Sequence, residues 1–169
     1  EEGANEYQIE ESKKAITKME IILGDNDRLQ AIAEDFVSHY ETRIAEGSSV
    51  EGKAMFVCAN RMIAYNLYKK IIALRPQWAE IPSENIVFAP NYEISKVAES
   101  TAIYGNAPIP IEKIKLVMTR NKDDETELYN LLGGDEERKK LDVQFKNPKS
   151  NFKIAIVVDM WITGFDVPC

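Results

Sequence analysis

Three short apolar runs, each ending in a polar loop, most constrain what this chain can fold into. They are Lys53-Ala54-Met55-Phe56-Val57-Cys58-Ala59, Ile114-Lys115-Leu116-Val117-Met118-Thr119 and Phe152-Lys153-Ile154-Ala155-Ile156-Val157-Val158. Runs of this length without strict alternation read as strands buried on both faces. Helical patterns separate them. Ile63, Leu67 and Ile71 mark one helix, which Arg75-Pro76 stops. Gly133-Gly134-Asp135 opens another, with Leu141 and Phe145 on one face and Asn147-Pro148 at its end. Alternation of strand and helix predicts an α/β fold with an open, mostly parallel sheet and right-handed crossovers. Residues 79–112, punctuated by Pro82, Pro90, Pro108 and Pro110, read as an irregular excursion, within which Asn85–Ala89 is a candidate further strand. Asp123-Asp124-Glu125 reads as an acidic loop.

Two helical patterns precede the first strand. Ile9, Ile16, Met19 and Leu23 recur at helical spacing in the amino-terminal segment 1–26, which Gly24-Asp25-Asn26 breaks. Leu29, Ile32, Ala33, Phe36, Val37, Tyr40 and Ile44 then fall at steps of three and four, the clearest amphipathic pattern in the chain. It reads as a packing helix in which His39 and Tyr40 do no chemistry. The Lys69-Lys70 and Arg138-Lys139-Lys140 clusters read as solvated helix faces.

At 169 residues the chain suits one compact domain with a real core. Its 21 basic residues against 28 acidic ones give a net charge of −7. That balance argues against a broad basic face for nucleic acid but leaves room for local phosphate contacts. Two cysteines and one histidine supply neither a disulfide framework nor a Cys/His metal site, so a reducing, cytoplasmic setting is expected. The opening Glu1-Glu2-Gly3 has neither a basic stretch nor an apolar run after it, so no secretory leader is expected, and no apolar run in the sequence reaches membrane length. The chain does not begin with Met and stops just beyond its most apolar strand, so it is expected to be a piece of a larger protein. The Ile154–Val158 strand, apolar on both faces, is expected to contribute to an exposed apolar surface there.

Gly47-Ser48-Ser49-Val50-Glu51-Gly52-Lys53-Ala54 approaches the spacing of a phosphate-binding loop. Such a loop leaves a strand, opens a helix and carries a hydroxyl after its lysine; this segment leaves a helix, enters a strand and carries Ala54. It is a linker. In open parallel sheets the ligand crevice lies beyond the carboxyl ends of the strands. Asn60-Arg61, Thr119-Arg120-Asn121 and the run Asp159 to Asp166 should therefore converge on one edge. Asp159 and Asp166 have no third acidic or histidine ligand at a recognisable spacing, so no metal site is expected. Gly164, beside Asp166, would let a phosphate or sugar approach the backbone. Trp161 and Phe165 read either as core or as an apolar face toward a partner.

Val158-Asp159-Met160-Trp161-Ile162-Thr163-Gly164-Phe165-Asp166-Val167-Pro168 resembles motif V of superfamily 2 helicases, in the form found in the restriction subunit of type I restriction–modification enzymes. Lys53 to Leu67 resembles motif IV of that subunit. Lys113–Thr119 and Glu136–Lys146 resemble the intervening strand and helix, and Asp27–Ile44 the helix that opens the lobe. The resemblance implies a three-layer RecA-like fold, truncated at the carboxyl end: residues 27–169 as part of a second motor lobe, after the helical segment 1–26, with the excursion at 79–112. It implies a parent enzyme that couples ATP-dependent translocation of double-stranded DNA to DNA cleavage. ATP and Mg2+ are the implied cofactors. The implied partners are DNA, the modification and specificity subunits, and the first RecA-like lobe of the same chain. By position it carries Gly164 and Asp166 to the ATP side, and Asn60, Arg61 and Thr163 to the DNA side. No catalytic residue is implied within this stretch, since the phosphate-binding loop, the arginine motif and the nuclease residues belong elsewhere. The sequence departs from the family pattern at Arg120, where glycine is frequent, and in the length of 79–112. Another superfamily 2 motor and a flavodoxin-like binding module are the alternatives; Asp159-Met160-Trp161 favours the restriction subunit.

Overall fold

A computed structural model describes residues 6–46, 52–82 and 109–159. The strand expected at Asn85–Ala89 and the run from Met160 to Cys169 lie outside the described residues.

Helix α1 (Glu6–Leu23) ends at Gly24, and α2 (Asn26–Ala45) starts where the Asp25 carboxylate accepts from the Arg28 amide at 2.9 Å. That cap satisfies one of the orphan amides of the first turn. Strand β1 (Ala54–Val57) leads into α3 (Arg61–Leu74), which Arg75 closes before a 3-10 turn at Pro76–Ala79. Because α2 ends and β1 begins on either side of 47–51, the linker reading of that stretch has the expected context. Strand β2 (Ile114–Val117), α4 (Thr126–Leu132), α5 (Asp135–Lys146) and β3 (Ile154–Val157) follow.

The sheet is parallel throughout, in the order β1-β3-β2. Ala54, Ile154 and Ile114 are level at one end, and Val57, Val157 and Val117 at the other. Alternate residues serve opposite faces. On one face Ile114, Leu116, Ile154 and Ile156 join Leu29, Ala33 and Val37 of α2, Leu67 and Ile71 of α3, and Leu128 and Leu132 of α4. Phe36 of α2 meets Phe56 of β1 edge-on at 5.6 Å, and Tyr40 meets Trp78 at 5.6 Å. On the other face Val117, Ala155 and Val157 pack with Leu141 and Phe145 of α5 and with Ile111 and Phe152. Each fully buried side chain of this size contributes about 1.5–3 kcal/mol. The expected α/β class is observed, with helices on both faces of the sheet.

The segment after the acidic loop, for which no element was expected, forms α4, whose Leu128 and Leu132, one turn apart, are buried. One expectation is corrected. The last strand is not an apolar margin: β3 is the central strand, and every residue from Ile154 to Val157 is buried. The apolar residues left open on the sheet are Met55 and Val57 of β1, 37% and 54% exposed. Parallel pairing explains this, since a strand flanked by hydrogen-bonded neighbours and roofed on both sides is necessarily apolar on both faces.

At the α4–α5 junction Gly133 adopts φ +63°, and a Cβ there would stand 3.0 Å from Glu137 Cβ. The Glu137 carboxylate accepts from the Gly134 amide and so caps α5. No described helix is long and apolar enough to cross a membrane.

Candidate functional site

Parallel register puts the carboxyl ends of all three strands at one edge. Cys58-Ala59-Asn60 leaves β1, Met118-Thr119-Arg120-Asn121 leaves β2, and Val158-Asp159 leaves β3. The three polar clusters expected to converge do so, as far as Asp159.

Each residue there has a definable task. Asn60 takes the extended backbone of an N-cap, and its Oδ1 accepts from the Ile63 amide at 2.9 Å. Arg61, the first residue of α3, donates through Nη2 to Asp124 Oδ2 at 2.5 Å, through Nε to Asp124 Oδ1 at 3.3 Å, and through Nη1 to the Thr119 carbonyl at 2.5 Å. Asp124 Oδ2 also accepts from the Asn121 amide at 2.7 Å. Burial pushes the Asp124 carboxyl up, but the Arg61 hydrogen bonds, the Asn121 amide and the Arg61 charge outweigh it and hold the group below its usual range. One helical turn beyond Arg61, the Tyr65 hydroxyl donates to Glu127 Oε2 at 3.3 Å. Burial, then the Glu127 charge, raises the Tyr65 pKa, which keeps that hydroxyl a donor.

The β2–α4 loop is exposed from Thr119 to Asp123. Arg120 lies with its guanidinium carbon 4.4 Å from the Tyr129 ring centroid, a cation–π contact that orients the charge without neutralising it. Asp159 is exposed and has φ +52°, the one described non-glycine residue with positive φ. Aspartate tolerates that region better than most residues, and such conformations cluster where a chain turns into a functional loop. Cys58 is buried, and burial alone pushes its thiol up to about 11, so it is no nucleophile at neutral pH.

Of the residues assigned from sequence, Asn60 and Arg61 stand at this edge; Thr163, Gly164 and Asp166 lie outside the described residues. Sequence reasoning missed Asp124 as Arg61's partner and Tyr129 as Arg120's support. The spacing of Arg120 and Tyr129 is a cue only once α4 is recognised. Among the described residues no group of three or more His, Cys, Asp or Glu is placed to hold a metal ion. A cavity of about 80 Å³ lies at the other end of β1, lined by Phe36, His39, Tyr40, Arg43 and Lys53 among others. It is far below the roughly 300 Å³ at which ligand pockets begin, and it is on the opposite edge from the convergent loops.

No family model matches the chain, and no solved structure matches it. Two curated relatives do. The type I restriction enzyme HindI endonuclease subunit of Haemophilus influenzae is 34% identical over 160 residues, covering 95% of this chain and 12% of that protein. A protein of Methanocaldococcus jannaschii, provisionally named the type I restriction enzyme MjaIXP endonuclease subunit, is 33% identical over 171 residues, covering 100% of this chain and 13% of its own length. The whole of this chain is thus similar to a small portion, 12% to 13%, of type I restriction enzyme endonuclease subunits.

Proposed function

We propose that this chain is a segment of the endonuclease subunit of a type I restriction enzyme. In the intact subunit it forms part of the second RecA-like lobe of a superfamily 2 motor, which uses ATP to translocate double-stranded DNA before cleavage. The observation that carries this reading is similarity along essentially the entire chain to two such subunits, at 34% and 33% identity. The sheet supports it, because its three carboxyl ends meet at one edge, where motors of this kind place nucleotide and nucleic acid.

In this reading Gly164 and Asp166 belong to the ATP side, with Mg2+ accompanying the nucleotide. Asn60, Arg61 and Thr163 belong to the DNA side. The first RecA-like lobe supplies the phosphate-binding loop, a following segment supplies the arginines that neutralise the transferring phosphate, and a separate domain cuts DNA. Modification and specificity subunits are its partners. Alone, the 169-residue chain hydrolyses no ATP and cuts no DNA.

The coding sequence on either side tests the assignment: an upstream phosphate-binding loop and a downstream glutamine/arginine motif are required. The purified full-length protein should release phosphate from ATP only when duplex DNA is present. DNA-stimulated phosphate release by the isolated chain, above a heat-killed control, would contradict the division of labour.

A further inference from the structure

Arg61 opens α3, yet its side chain serves a loop from another strand. Its three nitrogens reach the Thr119 carbonyl and both Asp124 oxygens. Thr119 and Asp124 bracket Arg120, Asn121, Lys122 and Asp123, so one cation grips both ends of the exposed stretch. The grip is internally completed. Asp124 Oδ2 takes the Asn121 amide at 2.7 Å, and the Asp124 amide donates to the Asn121 carbonyl at 3.2 Å. The Asp124 side chain is 7% exposed and that of Arg61 29%. A guanidinium engaged in this way offers little to a phosphate. The residues it holds offer more, since Arg120 and Lys122 are exposed and Arg120 is braced on Tyr129. In strand order the two joined segments flank the chain leaving β3 at Asp159.

We infer that Arg61 and Asp124 form a positioning latch, which fixes the Thr119–Asp124 loop so that Arg120 meets the phosphate backbone of duplex DNA. Arg61 then serves the DNA side through the loop and not by contact. This rests on the function proposed above.

The experiment has two arms. In the full-length subunit, the duplex concentration giving half-maximal ATP hydrolysis and the maximal turnover are measured for wild type, Arg61→Ala, Asp124→Ala and the double variant. The latch predicts that each single change raises the half-saturating concentration at least about tenfold, the lower end of what one charge-assisted hydrogen bond is worth. The double variant should be no worse than the worse single, and turnover should change less than half-saturation. Arg61→Lys should recover part of the loss. If Arg61 touches phosphate directly, Asp124→Ala frees it, half-saturation stays the same or falls, and the latch is wrong. In the second arm, hydrogen exchange at the Asn121 and Asp124 amides is followed in the 169-residue chain. Both single variants should accelerate it about tenfold while α2 amides keep their protection. Unchanged exchange at Asn121 overturns the latch. If the wild-type subunit shows no DNA stimulation at all, the proposed function fails, and the exchange arm alone decides the latch.

Discussion

The two outer strands end in the same two residue types, in opposite order. Asn60-Arg61 follows β1, and Arg120-Asn121 follows β2. After β1 both are consumed by the fold, Asn60 as the cap of α3 and Arg61 as the tie to Thr119 and Asp124. After β2 the arginine is exposed and only braced, by Tyr129, while the Asn121 side chain accepts from the Asp123 amide at 3.4 Å. Polar residues at the carboxyl edge of a parallel sheet therefore locate the edge without saying which of them are free to bind. A short loop that runs directly into a helix needs its polar side chains for caps and ties. A longer loop, once tied at its ends, can present its middle.

Three substitutions probe this contrast, in decreasing order of effect on stability. Arg61→Ala leaves a largely buried Asp124 carboxylate with the Asn121 amide as its remaining partner. It should cost about 2–4 kcal/mol in urea unfolding, with part of the full penalty relieved because Arg61 itself is partly solvated. A loss below about 0.5 kcal/mol would place the pair among ordinary surface ion pairs. The same pair gives a pH signature. The folded pKa of Asp124 lies below its ordinary value. Its contribution is therefore fully present above the unfolded carboxylate pKa, near 3.9, and is lost as pH falls through the folded value. Arg61→Ala should flatten that acid limb of the stability profile, and identical limbs in both proteins would contradict the assignment.

Asn60→Ala removes only a helix cap and should cost about 1 kcal/mol, with Asn60→Asp close to wild type. Thermal and urea midpoints check it. Arg120→Ala should change stability by less than about 0.5 kcal/mol. In the full-length protein it should weaken duplex binding and lower the slope of log affinity against log salt by about one. A salt slope equal to wild type would show that Arg120 meets no phosphate.

Much of the scaffold was legible in the sequence, for identifiable reasons. The strands announce themselves because residues such as Ile154 to Val157, buried on both sides, must be apolar without alternation. The edge followed from parallel topology alone, before any partner was known. The strand order was not legible, since β1-β3-β2 depends on which crossovers close and not on local pattern. Helix α4 was hidden because its seven residues hold little more than one pair of buried leucines, and its first turn adjoins an acidic loop. The Arg61–Asp124 pair spans 63 positions, a distance over which charge pattern carries no information. Helices α1 and α2 both read as helical by spacing, α2 the more clearly, and Leu29, Ala33, Val37 and Tyr40 of α2 are buried while Ile16 and Met19 of α1 are 60% and 61% exposed. Periodicity specifies a helix and its apolar stripe, and only tertiary context supplies the cover.

The central claim is that this segment couples ATP to DNA movement. It is tested most directly by Asp166→Ala in the full-length subunit, with DNA-stimulated ATP hydrolysis and DNA translocation measured beside duplex binding. Loss of one charge-assisted hydrogen bond on the nucleotide side should slow hydrolysis and translocation about ten- to a hundredfold while duplex binding is retained. Translocation at the wild-type rate would contradict the account and leave the run from Thr163 to Asp166 a structural loop.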